Sequence, residues 1–225
     1  LAWTHIPFHL DCINKYKKFD KIIYIIRDPR AVLLSMAKFQ ETTYVKKYKV
    51  NNYINSKDYI SQNLVKTISG WILKNLNFLM VNKVLNNIHV VYYENLKNNT
   101  FQEIKFLSEY LEIDICEKNL EKIVSSTSFQ KMKKENPQHV RKSKVDEWQN
   151  KLSNLNLFKA NLLLRPMIQI FNYPLSGDYP DKIVFNPNIS DFKISFIKYR
   201  TFILAGLLSF GNLSNLASRQ IMNHQ

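Results

Sequence analysis

Arg27 and Arg30 close a continuous apolar run, Ile22 to Ile26, and Ser35 follows about two helical turns later. Guanidinium groups present paired donors in a fixed fork, and a hydroxyl adds one more hydrogen bond, so this set suits a terminal phosphate. Placement matters as much as residue type. In α/β folds, anions bind at the carboxyl ends of the strands, where helix N-termini turn free N–H groups outward. Pro29 is well placed to open such a helix, because its missing N–H is not needed in the first turn. Four further segments carry usable chemistry: Thr4-His5-Ile6-Pro7, Tyr93-Glu94, Thr127 with Phe129, and Arg141-Lys142. Histidine titrates close to working pH, aromatic faces stack on nucleobases, and an Arg-Lys pair suits phosphate.

The elements that must position these groups are legible in outline. The run Lys21 to Ile26 reads as a strand buried on both faces, as in the middle of a parallel sheet, followed by a helix from Ala31 to Phe39. Apolar spacing at Leu64, Ile68, Trp71, Ile72 and Leu79 predicts a helix over 64–85. A second β-branched run, His89 to Tyr93, ends in Glu94, and helices are predicted over Phe101–Leu111 and Leu120–Ser125. A short strand is expected near Leu1–Ile6, and the polar stretch Thr42–Ser61 reads as a surface excursion over the site. Such alternation argues for an α/β fold with parallel strands. Beyond Pro174 the pattern loosens, so residues 1–175 are expected to form the domain and 176–225 an extension.

Bulk properties bound the partners. A chain of 225 residues with 45% hydrophobic content can bury the core of one domain. A net charge of +14 points to an anionic partner: nucleotide, nucleic acid, acidic polysaccharide or membrane surface. Cys12 and Cys116 form no metal pattern and no disulfide framework, and no metal is expected. No apolar stretch reaches the length that spans a bilayer. The chain opens on Leu with motif-like residues, so it is expected to lack its true start.

With these motifs in place, the chain resembles the sulfotransferases that use 3′-phosphoadenosine-5′-phosphosulfate (PAPS). Their nucleotide motif Arg-(Asp/Asn)-Pro-x-x-x-x-x-Ser is matched by Arg27 and Ser35, which in the family hold the 3′-phosphate. A family strand ending in Tyr-Glu-Asp is matched by Tyr93 and Glu94, with Asn95 in place of Asp. The Thr-Ser-Phe-x-x-Met-Lys segment of cytosolic members places Thr127 and Phe129 at the adenine pocket. Arg141, Lys142 and Trp148 match Arg-Lys-Gly-x-x-Gly-Asp-Trp, whose first residues wrap the 3′-phosphate. Both glycines are lost, to Ser143 and Asp146, so the loop is expected to sit further from a phosphate. Thr4-His5-Ile6-Pro7 resembles Lys-Thr-His-Leu-Pro, which implies His5 as the base that takes the acceptor's proton; Trp3 stands where the family has lysine.

The resemblance implies a three-layer, P-loop-like fold with a central parallel sheet. It also implies transfer of a sulfonate from PAPS to a hydroxyl or amine of a carbohydrate or small-molecule acceptor, without nucleic acid or metal. A homodimer stays open. The family's first strand and phosphate loop are missing from this sequence, which holds four glycines and no Gly-rich loop, so the chain alone is expected to be inactive. Arg-Asp-Pro-Arg-Ala-Val, the ending Phe171-Asn172-Tyr173-Pro174 and three sequons (at Asn98, Asn188 and Asn212) resemble a lumenal Golgi membrane glycoprotein. Thr-His-Ile-Pro, Thr-Ser-Phe and Arg-Lys resemble the cytosolic branch; the expectation is a Golgi type II membrane enzyme, lumenal, with the cytoplasm as the alternative. Two other readings compete: a P-loop kinase of small molecules, which would need a Walker loop and a metal-linked carboxylate, and a basic RNA- or polyanion-binding domain without catalysis.

Overall fold

A computed structural model describes residues 4, 6–42, 45, 47, 53, 55–135, 144–185 and 188–222, with side chains left out at 129, 130, 135 and 210–222. A 3₁₀ turn at Leu10–Cys12 and α1 (Ile13–Tyr16) precede β1 (Ile22–Ile26) and α2 (Pro29–Gln40). The long helix α3 (Ser56–Asn82) leads to β2 (Ile88–Tyr92), which passes directly into α4 (Tyr93–Asn98) and then α5 (Thr100–Leu111). After α6 (Glu117–Ser126) and α7 (Phe129–Glu135) come α8 (Trp148–Lys151), α9 (Asn154–Phe171) and α10 (Asp191–Met222).

The fold is α/β. β1 and β2 pair in parallel, Ile22 opposite Ile88 through Ile26 opposite Tyr92, so both strands deliver their carboxyl ends to the same edge. That register sets Arg27 beside Tyr93. One sheet face packs on α3, where Tyr24 stacks on Phe78 at 4.1 Å between centroids and donates a hydrogen bond to Asn75. The opposite face is covered only along β2, where Val91 is buried and His89 stacks on Tyr110; along β1, contrary to the expected two-sided burial, Ile23 is exposed and Ile25 is 59% exposed. β1 and β2 are the two strands among the described residues.

α3 is the spine, packing against α2, α9 and α10. It begins earlier than its apolar spacing predicts, because Asn55 caps it by accepting from the Asp58 N–H. Tyr59 and Ile60 in that first part are buried, as is Val45, so these parts of the expected surface excursion belong to the interior. Burying side chains of this size contributes roughly 1.5–3 kcal/mol each.

The segment beyond residue 175 is tied into the domain rather than hanging from it. Ile183, Ile189, Ile194 and Ile197 join the same core cluster, and Asn95 exchanges two hydrogen bonds of 2.9 Å with the backbone of Ile183. Asn172 ends α9 in the left-handed region (φ 51°), which Asn tolerates well. Gly177 takes φ +88° where a Cβ would collide with Gln149, and this turn leads the chain back to the site at Tyr179. The strand expected near Leu1–Ile6 falls largely outside the described residues.

Candidate functional site

Asp28 lies two residues beyond β1 and caps α2: its carboxylate accepts from the Arg30 N–H at 2.8 Å, and Pro29 takes the first helical position. The two arginines then part. Arg30 is wholly buried against Asp28, with Nη2 to Oδ2 at 2.6 Å. It also donates to Asn161 Oδ1 and to the carbonyls of Pro174 and Leu175, and its guanidinium lies 3.7 Å from the Trp148 ring centroid. All its donors are engaged inside the protein, so of the two arginines expected at a phosphate, Arg30 is withdrawn. Asp28 also accepts from the Tyr179 hydroxyl at 2.7 Å, which in turn accepts from the Trp148 indole N–H at 3.0 Å.

Arg27 faces the other way. Its guanidinium lies 4.3 Å from the centroid of the Tyr93 ring, and its backbone carbonyl accepts from the Trp71 indole at 3.0 Å. Its Nε is buried without a hydrogen-bond partner among the described residues. A buried, unpaired donor is costly and uncommon in native proteins. One face of Tyr93 is covered by Arg27, so the ring supports the arginine as well as lining the cavity.

That cavity, about 870 Å³, is lined by Arg27, Ser35, Tyr93, Thr127, Ser128 and Trp148, among others. The volume lies in the range of small-molecule sites, roughly 300–1,000 Å³. Its charged lining is Arg27, Lys38, Lys97 and Lys144 against Glu147, which pairs with Lys38. The Lys97 ammonium has its pKa lowered, first by burial and then by repulsion from Arg27. Apolar walls come from Leu34, Leu96, Ile104, Leu107 and Met132. A cationic rim over an apolar floor suits an anionic group carried on a flat ring.

Beneath the rim, Glu94 bridges the two strand ends. It is buried, accepts from the Asp28 N–H at 2.9 Å and from the Tyr173 hydroxyl at 3.3 Å, and burial pushes its pKa up to about 7. The accepted N–H bonds and Arg27 hold that rise back, while Asp28 adds to it. Glu94 therefore braces Arg27 from behind rather than meeting a ligand.

Of the residues singled out from the sequence, Arg27, Ser35, Tyr93 and Thr127 meet at this cavity. Thr127 also ends α6, its hydroxyl donating to the carbonyls of Ile123 and Val124. Phe129 heads α7 next to the cavity wall, its side chain outside the described ones. His5, Arg141 and Lys142 lie outside the described residues. Sequence reasoning did not reach Asp28, Tyr179, Lys38 or Lys97. The Asp-Pro pair was a usable capping signal for the first, whereas Tyr179 lies in a stretch without periodicity. No group of His, Cys, Asp and Glu fit to hold a metal occurs among the described residues.

A family model described as the sulfotransferase domain matches residues 1–161. Sulfotransferase 2A6 of Rattus norvegicus is 27% identical over 183 residues, covering 80% of this chain and 56% of the relative. An amine sulfotransferase of Oryctolagus cuniculus is 27% identical over 137 residues, covering 58% of this chain and 42% of the relative. The chain thus spans about half the length of the curated relatives it matches. Among solved structures, mouse sulfotransferase SULT7A1 complexed with PAP aligns with a TM-score of 0.54 at 21% identity, covering 70% of this chain and 62% of that one. This likeness is one of fold, and it agrees with the parallel strand pair whose ends carry Arg27 and Tyr93. With the family model covering more than half of its length, the chain belongs to the sulfotransferase domain family.

Proposed function

We propose that this chain supplies the 3′-phosphate and adenine side of a PAPS-binding site, in an enzyme that sulfonates a hydroxyl or amine. The observation that carries the reading is Arg27: a guanidinium at a parallel strand end, with a buried unpaired Nε, lining one cavity with Ser35 and Thr127. A ribose-linked phosphate dianion would meet the outer nitrogens of that guanidinium, since the Nε itself is shut off from the cavity. Tyr93 holds the guanidinium from one side, and Glu94 braces the backbone that carries it. Phe129, Arg141 and Lys142 are assigned to the nucleotide by motif order, and His5 to the acceptor's proton. When bound, PAPS supplies the sulfonate; this chain's residues bind and orient the nucleotide and remove a proton.

The relatives named above include an amine sulfotransferase, which favours a small-molecule acceptor over a carbohydrate. Among the described residues no helix is long and apolar enough to cross a membrane. The Golgi-membrane reading gains no support from these relatives, and we assign the protein to the cytoplasm.

Thermal unfolding of the purified 225-residue chain tests the binding claim. 3′,5′-Bisphosphoadenosine should raise the Tm, and ATP and adenosine 5′-phosphate should raise it much less. Equal shifts for all three would remove the 3′-phosphate assignment. No sulfonated product should form from PAPS with a panel of alcohols, phenols and amines, and any product would overturn the claim that the isolated chain is inactive.

A further inference from the structure

α10 is apolar on two opposite faces. Ile194, Ile197 and Thr201 pack into the domain, whereas Phe192, Phe196, Tyr199, Ile203 and Leu207 form a continuous outward stripe. Their spacing of three and four residues keeps them on one side of the helix. Phe192 is 83% exposed, Tyr199 71% and Leu207 65%. With Phe202 beside them, the aromatic residues alone present roughly 400 Å² of apolar surface, given about 150–250 Å² for each aromatic side chain. That approaches the largest patch a monomer ordinarily carries.

The margins of the stripe are basic. By helical spacing Lys193 lies on one edge and Lys198 on the other, and both are exposed. From Phe192 to Met222 the sequence contains no Asp or Glu. Asp191, at the start of the helix, is paired with Lys83. Two copies meeting through this face would oppose like charges, and the helix's one acid, Asp191, is already paired with Lys83. An anionic bilayer surface satisfies both features: the aromatic stripe enters the headgroup–acyl boundary, and the lysines reach back to the lipid phosphates and carboxylates. The chain's net charge of +14 draws it toward the same surface.

We propose that the outward face of α10 docks this protein peripherally onto anionic membranes, with the cavity near Arg27 left free. The helix lies along the surface and does not span it. Docking would bring the site to the phase in which apolar acceptors dissolve. The proposal stands apart from the nucleotide-site reading, since none of its residues lines that cavity.

Co-sedimentation of the 225-residue chain with vesicles decides it. Binding is expected to vesicles of phosphatidylserine and phosphatidylcholine, to fall with added salt, and to be weak on phosphatidylcholine alone. Lys193→Ala with Lys198→Ala should lower the partition coefficient about 25-fold, at about fivefold per lysine removed, and Lys193→Glu with Lys198→Glu should lower it further. Phe196→Glu with Ile203→Glu should abolish binding while keeping the 3′,5′-bisphosphoadenosine-induced Tm shift of the parent chain. Equal binding to neutral vesicles, or unchanged binding by the Phe196/Ile203 variant, would overturn the proposal. So would light scattering that shows a dimer dissociated by Phe196→Glu, which would assign the face to a second copy of the chain.

Discussion

Arg27 and Arg30 leave the same strand end three residues apart, yet the structure uses them in opposite ways. Arg30 is sealed under Trp148 with Asp28, Asn161 and two carbonyls, and its charge is spent within the protein. Arg27 keeps a buried donor without a partner and turns its guanidinium to a cavity. The contrast separates holding a site from being one. A fully satisfied ion pair rigidifies the turn, and a group left unsatisfied in the same frame is available to a ligand.

The sharpest way to break this comparison is Arg30→Met. It leaves the Asp28 carboxylate buried with only Tyr179 and the Arg30-position N–H to answer it, and loss of one partner of a buried pair costs about 3–5 kcal/mol. Chemical denaturation should show that loss, and a near-unchanged midpoint would return Arg30 to the ligand side. Arg27→Ala should do the reverse. It removes one or two charge-assisted hydrogen bonds at about 1.5–3 kcal/mol each, a loss of about a hundredfold in affinity for 3′,5′-bisphosphoadenosine by titration calorimetry. Its unfolding midpoint should hold or rise, because the unpaired Nε goes with it. A large stability loss instead would make Arg27 another structural arginine.

The sequence displayed the frame of this comparison and hid its outcome. β1, α2 and the parallel pairing follow from one apolar run, an Asp-Pro turn and a second run at the right remove, all local signals. The choice between two neighbouring arginines is made elsewhere. Trp148, Asn161 and the carbonyls of Pro174 and Leu175 close over Arg30 from far along the chain, and no local pattern announces that closure. The start of α3 escaped because polar residues carry it, although Asn55 and Asp58 formed a capping signal. Residues 176–190 showed no period, so their core isoleucines and Tyr179 read as an extension. The open face of β1 escaped because Ile23 and Ile25 are apolar like their buried neighbours; a uniform run cannot report which side is covered.

Glu94 sits between the two regions and sharpens the comparison through pH. Its pKa near 7 in the folded protein lies above the ordinary carboxylate value of 4.5. Between those values the folded state holds a proton that the unfolded chain has released. Stability is therefore highest near and below pH 4.5 with respect to this group, and falls as pH rises toward about 7. The loss is on the order of 3 kcal/mol, since a unit of pKa difference corresponds to about 1.4 kcal/mol. Glu94→Gln keeps an acceptor for the Asp28 N–H and removes the titration. Urea midpoints for the variant should lose this component of the decline between pH 4.5 and 7. A parallel decline in both proteins would mean that Glu94 is not the group responsible.

The smallest effects form a matched pair of hydroxyl deletions, one on each side. Tyr179→Phe removes the donor to Asp28 and the acceptor for Trp148, two bonds in a buried network. Leaving those partners short should cost about 1–3 kcal/mol of stability without changing nucleotide affinity. Ser35→Ala deletes an exposed hydroxyl from the cavity wall, so stability should move by less than about 0.5 kcal/mol, as for ordinary surface substitutions. Affinity for 3′,5′-bisphosphoadenosine should fall about tenfold, the worth of one hydrogen bond to a charged group at about 1.5 kcal/mol, the low end of its range. Measured together by calorimetry and denaturation, the two variants should move along perpendicular axes. If Ser35→Ala lowers stability or Tyr179→Phe lowers affinity, the division between the sealed arginine and the open one does not extend to their neighbours.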